Sequence, residues 1–143
     1  MKLGNVSIFV EDVSETVAFY ERVFGLPLLY MHPSKEYAEL ETGDTLLSFI
    51  GERMLSGLNL LGGADYRRNR GNEASIGSQI ALITDDLQRD YEKALAAGAV
   101  AVTAPDPKPW GQSVAYVRDN NGFLVELCTP PISVAERLAR LGS

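Results

Sequence analysis

The side chains that most often carry covalent or metal chemistry are scarce in this chain of 143 residues, which has one histidine and one cysteine. His32 stands before Pro33, a pair that is typical of an exposed turn. Cys128 lies within an apolar run, where a free cysteine is usually a small core residue rather than a reactive thiol. A disulfide framework, a thiolate metal site and a histidine-based triad are therefore excluded, which leaves carboxylates, amides and aromatic rings as the candidates.

The charge balance limits the partners of the chain. Thirteen basic and nineteen acidic side chains give a formal charge of −6, and the only local basic cluster is Arg67, Arg68 and Arg70. Because a negative protein repels a phosphate backbone, we expect no nucleic-acid partner, whereas a cationic or neutral small molecule is easier to accommodate. The apolar runs are too short to cross a bilayer and no signal peptide is recognisable, so we expect a cytoplasmic protein without membrane contact.

Two similar modules would position the candidate residues. In the first, a β-branched run at residues 6–10 predicts a strand. The apolar spacing from Val13 predicts a helix, for which Glu11, Asp12 and Ser14 supply capping side chains and Gly25 marks the end. Three short strands follow, at about residues 28–31, 37–41 and 45–50. This order predicts one βαβββ module over about residues 3–50.

The same order returns after residue 77. A strand at 80–83 and a helix at 87–97 precede Gly98, and three further strands end with the Asn121-Gly122 turn and the run to Cys128. We therefore expect a single α+β domain over residues 1–143, with a second βαβββ module at about 78–130.

Two segments lie outside the modules. Residues 51–77 are too long for an inert turn, and they are interpreted either as a lid or binding loop or as a linker. At the C-terminus, Ser133 and Glu136 have the spacing of a capping box, which predicts a helix at about 133–142. Its apolar stripe would be Val134, Leu138 and Leu141.

Three runs resemble the vicinal oxygen chelate superfamily, which includes glyoxalase I, bleomycin-resistance proteins and extradiol dioxygenases. They are IFVEDVSETVAFYERVFGLPLL at residues 8–29, DDLQRDYEKALAAGA from Asp85, and PWGQSVAYVRDNNGFLVEL at residues 109–127. The resemblance covers nearly the whole chain. It implies that the two modules form a mixed sheet curled around a cavity, with the helices on the outer face and commonly in a dimer.

In metal-dependent members of this family, a divalent ion is bound by the first and last strands of each module. The resemblance places the corresponding positions here at Asn5, Ser48, Gln79 and Glu126. Only Glu126 is a strong ligand, whereas a tight Zn, Ni or Fe site needs imidazole, thiolate or several carboxylates. We therefore predict no catalytic metal and no other cofactor, and the chain is most similar to the metal-free, bleomycin-resistance-like members.

Strand alternation indicates which side chains face the cavity. If Val6, Ile8 and Val10 pack under a helix, then Asn5, Ser7 and Phe9 point to the opposite side. The same alternation places Ser48 and Glu126 in the cavity. It places Phe49 on the helix-covered face, outside the site.

Glu126 and Trp110 have the strongest functional interpretations. A carboxylate in an apolar cavity without a metal needs a hydrogen-bond partner, and Gln79 or Asn5 could supply it. Glu126 would then be an anchor for the ligand or a general acid or base, and the alternative is an ancestral metal ligand satisfied by its amide neighbours. The ring of Trp110, in a Pro-Trp-Gly turn, would either stack on a planar ligand at the cavity mouth or close the end of the sheet.

Three functions follow from these interpretations. The first is a binding protein that holds a small hydrophobic or planar molecule, a cationic antibiotic among the candidates. The second is a glyoxalase-like lyase, isomerase or dioxygenase that uses Glu126 as a weak metal ligand or as general acid and base. The third is a scaffold whose cavity is filled by its own side chains. Exposed edge strands between the modules and the apolar stripe of the last helix further predict a homodimer.

Overall fold

The computed structural model of the chain describes residues 1–142, apart from the side chain of Leu141, and these residues form eight strands and four helices. The first module contains β1 (Asn5–Val10), α1 (Val13–Phe24), β2 (Leu28–Met31), β3 (Tyr37–Leu40) and β4 (Leu46–Gly51). The short helix α2 (Glu52–Gly57) follows directly.

The second module repeats the order of the first. It contains β5 (Gln79–Ile83), α3 (Leu87–Ala96), β6 (Val100–Pro107), β7 (Ser113–Arg118) and β8 (Leu124–Cys128), and the chain continues into α4 (Val134–Leu141). The α+β class with two βαβββ modules and a C-terminal helix is thus confirmed.

Each module forms its own four-stranded mixed sheet. The strand orders are β1-β4-β3-β2 and β5-β8-β7-β6, with β1 parallel to β4, β5 parallel to β8 and the remaining neighbours antiparallel. In both sheets the first strand is therefore an edge strand. No ladder joins β1 to β5 within residues 1–142, so the eight strands form two sheets with a cleft between these edges.

Equivalent capping residues begin both long helices. The carboxylate of Asp12 accepts a hydrogen bond from the Glu15 amide at 2.9 Å, and that of Asp86 accepts one from the Arg89 amide at 3.2 Å. Gly25 ends α1 in the left-handed conformation, with φ of 66°. The apolar spacing and the terminal glycines predicted both helices from the sequence, and the predicted helices are confirmed.

Helices cover one face of each sheet and build the core. Phe49 of β4 is completely buried, and its ring centroid lies 4.9 Å from that of Tyr20 in α1. The Tyr20 hydroxyl donates a hydrogen bond of 2.7 Å to the Oδ2 atom of Asp119, in the turn before β8. The helix-facing position expected for Phe49 is therefore confirmed, and α1 connects the first module to the second.

The segment between the modules is partly ordered by ion pairs. The guanidinium of Arg70 binds both carboxylate oxygens of Glu52 in α2, at 2.6 and 2.9 Å. At the C-terminus, the predicted capping box between Ser133 and Glu136 is present. Val134 and Leu138 of the predicted stripe are exposed, while the side chain of Leu141 lies outside the described part of the chain. No described helix combines the length and the apolar character that a membrane span requires.

Candidate functional site

The open face of the second sheet carries a carboxylate with two hydrogen-bond donors. Glu126 in β8 accepts a 2.7 Å hydrogen bond from Nε2 of Gln79 in β5 and a 2.8 Å bond from the hydroxyl of Tyr116 in β7, both at Oε2. The three side chains meet because Tyr116 is the direct cross-strand partner of Glu126, and the strand of Gln79 lies on the other side of β8. We call this set the Glu126 cluster.

Within the Glu126 cluster, the phenol of Tyr116 carries the proton that it donates to the carboxylate of Glu126. Burial raises the pKa of Tyr116, and the hydrogen bond to Glu126 raises it further because it favours the neutral phenol. Glu126 therefore has two donors, Gln79 and Tyr116, at its Oε2 atom. This arrangement can accept a hydrogen bond or a proton from a molecule placed on the open face.

The first sheet carries a group of neutral polar side chains, those of Asn5, Ser7 and Ser48. The amide of Asn5 donates to the hydroxyls of Ser7 and Ser48 at 3.0 and 3.1 Å, and these two hydroxyl oxygens lie 2.6 Å apart. In the neighbouring strand, the hydroxyl of Tyr37 donates to Glu39 at 2.8 Å. Burial, followed by this hydrogen bond, raises the pKa of Tyr37. Asn5, Ser7 and Ser48 thus form one hydrogen-bonded group in which the Nδ2 atom of Asn5 donates to both hydroxyls.

The four family metal positions do not fit a transition-metal ion. They offer one carboxylate, two amides and one hydroxyl, and all four side chains are engaged in the hydrogen bonds given above. His32 lies in the β2–β3 turn, half-buried, with Nδ1 2.7 Å from the hydroxyl oxygen of Ser34. Cys128 is buried, which raises the pKa of its thiol. Within residues 1–142, no three His, Cys, Asp or Glu side chains lie close enough together to hold a metal ion.

A cleft of about 320 Å³ lies between the edge strands β1 and β5. Its apolar lining consists of Val6, Ile8, Phe9, Ile76, Ile80 and Phe123. The segment after α2 forms one wall: the ring of Tyr66 packs edge-on against Phe9 at 5.3 Å, and the amide of Asn69 donates to the Phe9 carbonyl at 3.0 Å. Ser7, Ser78 and Gln79 supply neutral polar groups, and Arg67 completes the wall.

The structure brings some of the predicted site residues together and separates others. Ser7, Phe9 and Gln79 line the cleft. Asn5 and Ser48 contact it only through Ser7, and Glu126 through Gln79. Trp110 is half-buried in the turn between β6 and β7, where its indole donates to Gln112 at 3.2 Å, and it does not line the cleft. A role for Trp110 in ligand contact therefore stays a prediction.

Sequence reasoning missed Tyr116, which completes the Glu126 cluster. Tyr116 had a usable signal, because it and Glu126 stand five residues on either side of Asn121, in the turn that sets the register of β7 and β8. Glu39 and Ser48 are placed in the same way around the Gly43-Asp44 turn. The position of Tyr66 against Phe9 could not be predicted, because Tyr66 lies in an irregular segment whose path depends on tertiary contacts.

Comparison with known protein families and sequences gives matches over most of the chain. The family model described as Glyoxalase/Bleomycin resistance protein/Dioxygenase superfamily matches residues 2–127. A probable lactoylglutathione lyase of Vibrio cholerae is 30% identical over 123 residues, which cover 82% of this chain and 83% of that protein. The uncharacterized protein YraH of Bacillus subtilis is 25% identical over 128 residues, covering 89% of this chain and 97% of that protein.

Solved structures share the fold. A glyoxalase/bleomycin resistance protein/dioxygenase family enzyme from Burkholderia phytofirmans superimposes with a TM-score of 0.74 at 21% identity, over 90% of this chain and 98% of that chain. A glyoxalase-related enzyme from Fulvimarina pelagi gives the same TM-score at 18% identity, over 94% of each chain. Together with the two βαβββ modules, the family match establishes that the chain belongs to the glyoxalase/bleomycin resistance protein/dioxygenase superfamily.

Proposed function

We propose that this protein binds a small hydrophobic or planar organic molecule in the cleft between β1 and β5 and holds no metal ion at the four family positions. The observation that carries the proposal is the cleft itself, with about 320 Å³ of space and a mostly apolar lining. This volume is at the lower end of the range found for small-molecule sites.

The lining residues suggest how a ligand is held. The rings of Phe9 and Tyr66 meet at the cleft and offer an aromatic surface to a planar molecule. Gln79 joins the cleft to the Glu126 cluster, because its Nε2 is fixed by the carboxylate. A ligand that hydrogen-bonds Gln79 is therefore oriented by Glu126, which is the anchoring role inferred for this carboxylate.

Fluorescence titration with N-phenyl naphthylamine, a neutral planar probe, tests the binding proposal. We expect saturable binding to the wild-type protein and its loss in Ser78→Trp, which fills the cleft from an exposed position on its rim. Ser14→Trp, on an exposed position of α1 outside the cleft, is the matched control and should bind normally. Equal binding by all three proteins would place the probe elsewhere and contradict the proposal.

Elemental analysis of protein purified without chelators tests the metal part of the proposal, and native mass spectrometry of the same sample shows any co-purifying molecule. About one Ni, Zn, Mn or Fe per chain would contradict the hydrogen-bonded donor set and favour a metalloenzyme. A panel of planar drugs, cationic bleomycin-type antibiotics included because of the net charge of −6, would then search for the natural ligand class.

A glyoxalase-like lyase or isomerase is the second candidate function. It is favoured by the Glu126 cluster, whose carboxylate and phenol could move a proton next to a carbonyl, and by the likeness to the probable lactoylglutathione lyase of Vibrio cholerae. Incubation with the hemithioacetal of methylglyoxal and glutathione, with and without added Ni or Zn, separates the two functions. The binding proposal expects no turnover, whereas turnover that Glu126→Gln abolishes would establish the enzyme.

A further inference from the structure

We infer that the ligand of the β1–β5 cleft carries an anionic group, a carboxylate, sulfonate or phosphate, and that Arg67 binds it. The inference rests on the proposed function, because it concerns the same cleft. Its basis is the juxtaposition of an unpaired guanidinium with an apolar, aromatic wall.

Arg67 differs from the two neighbouring arginines in its ion pairs. Arg70 binds Glu52 at 2.6 Å and Glu11 at 3.4 Å, and Arg68 lies 3.6 Å from Glu52. Within residues 1–142, no ion pair or hydrogen bond engages the guanidinium of Arg67. Glu52 of α2 and Glu11 together offset two of the three positive charges, and the remaining charge belongs to Arg67, which lines the cleft.

The other groups on the described lining of the cleft are uncharged. Its polar residues are serine, asparagine and glutamine, and the carboxylate of Glu126 is turned toward Gln79 and Tyr116 instead of lining the cleft. Glu73 shares a neighbouring surface recess with the three arginines but forms no ion pair with Arg67. The local charge of the cleft is therefore positive, although the whole chain carries a charge of −6.

The geometry of the wall selects a class of ligand. Tyr66 packs against Phe9, and both rings line the same cleft as Arg67, so an aromatic body held by these rings can place an attached acidic group at the guanidinium. A planar guanidinium binds carboxylates, sulfonates and phosphates through paired, charge-assisted hydrogen bonds. The favoured ligand is thus an aromatic or polycyclic acid rather than a cationic drug.

A matched pair of probes tests the inference. Anilinonaphthalene sulfonate has the same fused-ring skeleton as N-phenyl naphthylamine and adds one sulfonate, so the difference between their affinities reports the anionic group alone. We expect the wild-type protein to bind the sulfonate more tightly, and Arg67→Gln to weaken sulfonate binding by about fivefold, which corresponds to about 1 kcal/mol at a solvent-accessible ion pair. Binding of the neutral probe should stay unchanged.

Two further variants control for charge and for folding. Arg67→Lys keeps the charge and should retain most of the preference for the sulfonate, while Arg53→Gln removes a positive charge from a residue that does not line the cleft and should behave as wild type. Far-ultraviolet circular dichroism and thermal melting confirm that each variant is folded, which matters because the sulfonate probe also binds loosened proteins.

The outcomes separate this inference from the proposed function. If neither probe binds the wild-type protein, or if Ser78→Trp binds both normally, the proposed function fails and this inference fails with it. If the neutral probe binds in the cleft but the sulfonate binds no more tightly, or if Arg67→Gln leaves the ratio of affinities unchanged, only the assignment of an anionic ligand is overturned. Tighter binding of an amine-bearing analogue would overturn it in the same way.

Discussion

At the residue scale, the site depends on the hydrogen bond between the hydroxyl of Tyr116 and the carboxylate of Glu126. Burial, and then the hydrogen bond to Glu126, raise the pKa of Tyr116. Glu126→Gln removes the charge but leaves the burial, so we expect the pKa of Tyr116 to fall toward, without reaching, the ordinary tyrosine value of about 10. A pH titration followed by nuclear magnetic resonance of ring-labelled tyrosine measures this shift, with Tyr116→Phe used to assign the resonance.

The first module offers an internal control for this prediction. Tyr37 donates to Glu39 as Tyr116 donates to Glu126, so Glu39→Gln should lower the pKa of Tyr37 and leave Tyr116 unaffected. A Tyr116 pKa that does not respond to Glu126→Gln would mean that the phenol and the carboxylate are not in contact in solution. It would also remove the main support for proton transfer by the Glu126 cluster.

A second residue-scale prediction concerns the buried Asp119. Burial raises the pKa of its carboxyl more than the hydrogen bonds from Tyr20 and the amides of Asn121 and Phe123 lower it. Between the ordinary Asp pKa of about 3.9 and the raised native pKa, the native state therefore keeps a proton that the unfolded chain has released. The resulting stability is fully present below about pH 3.9 and is lost as the pH rises through the native pKa.

Substitution of Asp119 by asparagine should remove this pH dependence. We expect the free energy of unfolding of Asp119→Asn, relative to wild type, to increase as the pH is raised from about 3.9 through the acidic range. Tyr20→Phe should instead extend the pH range over which the stability falls. It removes a donor that stabilises the charged carboxylate, so the native pKa of Asp119 rises further. Urea unfolding at a series of pH values measures both differences, and parallel curves for all three proteins would contradict the prediction.

At the scale of elements, the segment between the modules is fixed against the turn that precedes β8. The hydroxyl of Ser75 donates to the carbonyl of Gly122 at 2.7 Å, and a Cβ atom at Gly122 would lie 2.5 Å from the carbonyl oxygen of Arg70. Gly122 also has a φ of +76°, which disfavours an L side chain. This close approach holds the wall of the cleft that carries Tyr66 and Arg67.

We therefore expect Gly122→Ala to destabilise the protein by about 3 kcal/mol, from the combined costs of a left-handed alanine and a backbone displacement. Gly43→Ala is the matched control, because Gly43 has a φ of +90° but open space around a new Cβ atom, and it should cost only about 1 kcal/mol. Urea unfolding gives both values. Equal costs would show that the contact between the segment and the turn is not maintained in solution.

The elements differ in how far the sequence predicted them. α1 and α3 have aspartate caps and clear apolar stripes, and the strands of both hairpins alternate, so their existence and facing followed from local chemistry. α2 was missed because it has six residues and Gly51 offers no capping side chain. Its role becomes visible only through the Arg70–Glu52 ion pair, a contact across eighteen positions of the chain.

The candidate site was likewise predicted only in part. Alternation correctly brought Asn5, Ser7 and Ser48 together, because a period of two depends only on the strand itself. The cleft could not be predicted, because it depends on the distance between two sheets and on the path of an irregular segment. Arg67 illustrates this limit, since it is one of three arginines within four residues and only the positions of Glu52 and Glu11 show which of the three is left unpaired.

At the scale of the whole molecule, the first half of the outer edge strand of the second sheet is poorly protected. In β6, Val100 and Val102 expose 57% and 43% of their surface, whereas Pro105, Asp106 and Pro107 protect the second half from pairing. An open apolar edge such as residues 100–103 is rarely left uncovered, because its free backbone groups pair with other chains. We predict that a second copy of this chain covers β6, in a two-fold dimer.

Val102→Lys tests the dimer at its centre, because a charge on an edge strand opposes pairing with a second strand. We expect the wild-type protein to be a dimer in light scattering coupled to size-exclusion chromatography, and Val102→Lys to be a folded monomer. Val134→Lys places the same charge on the exposed face of α4 and should remain dimeric, because the predicted interface lies on the sheet edge rather than on the last helix. If Val134→Lys alone dissociates, the interface is on α4, and a monomeric wild-type protein would mean that β6 stays open to solvent.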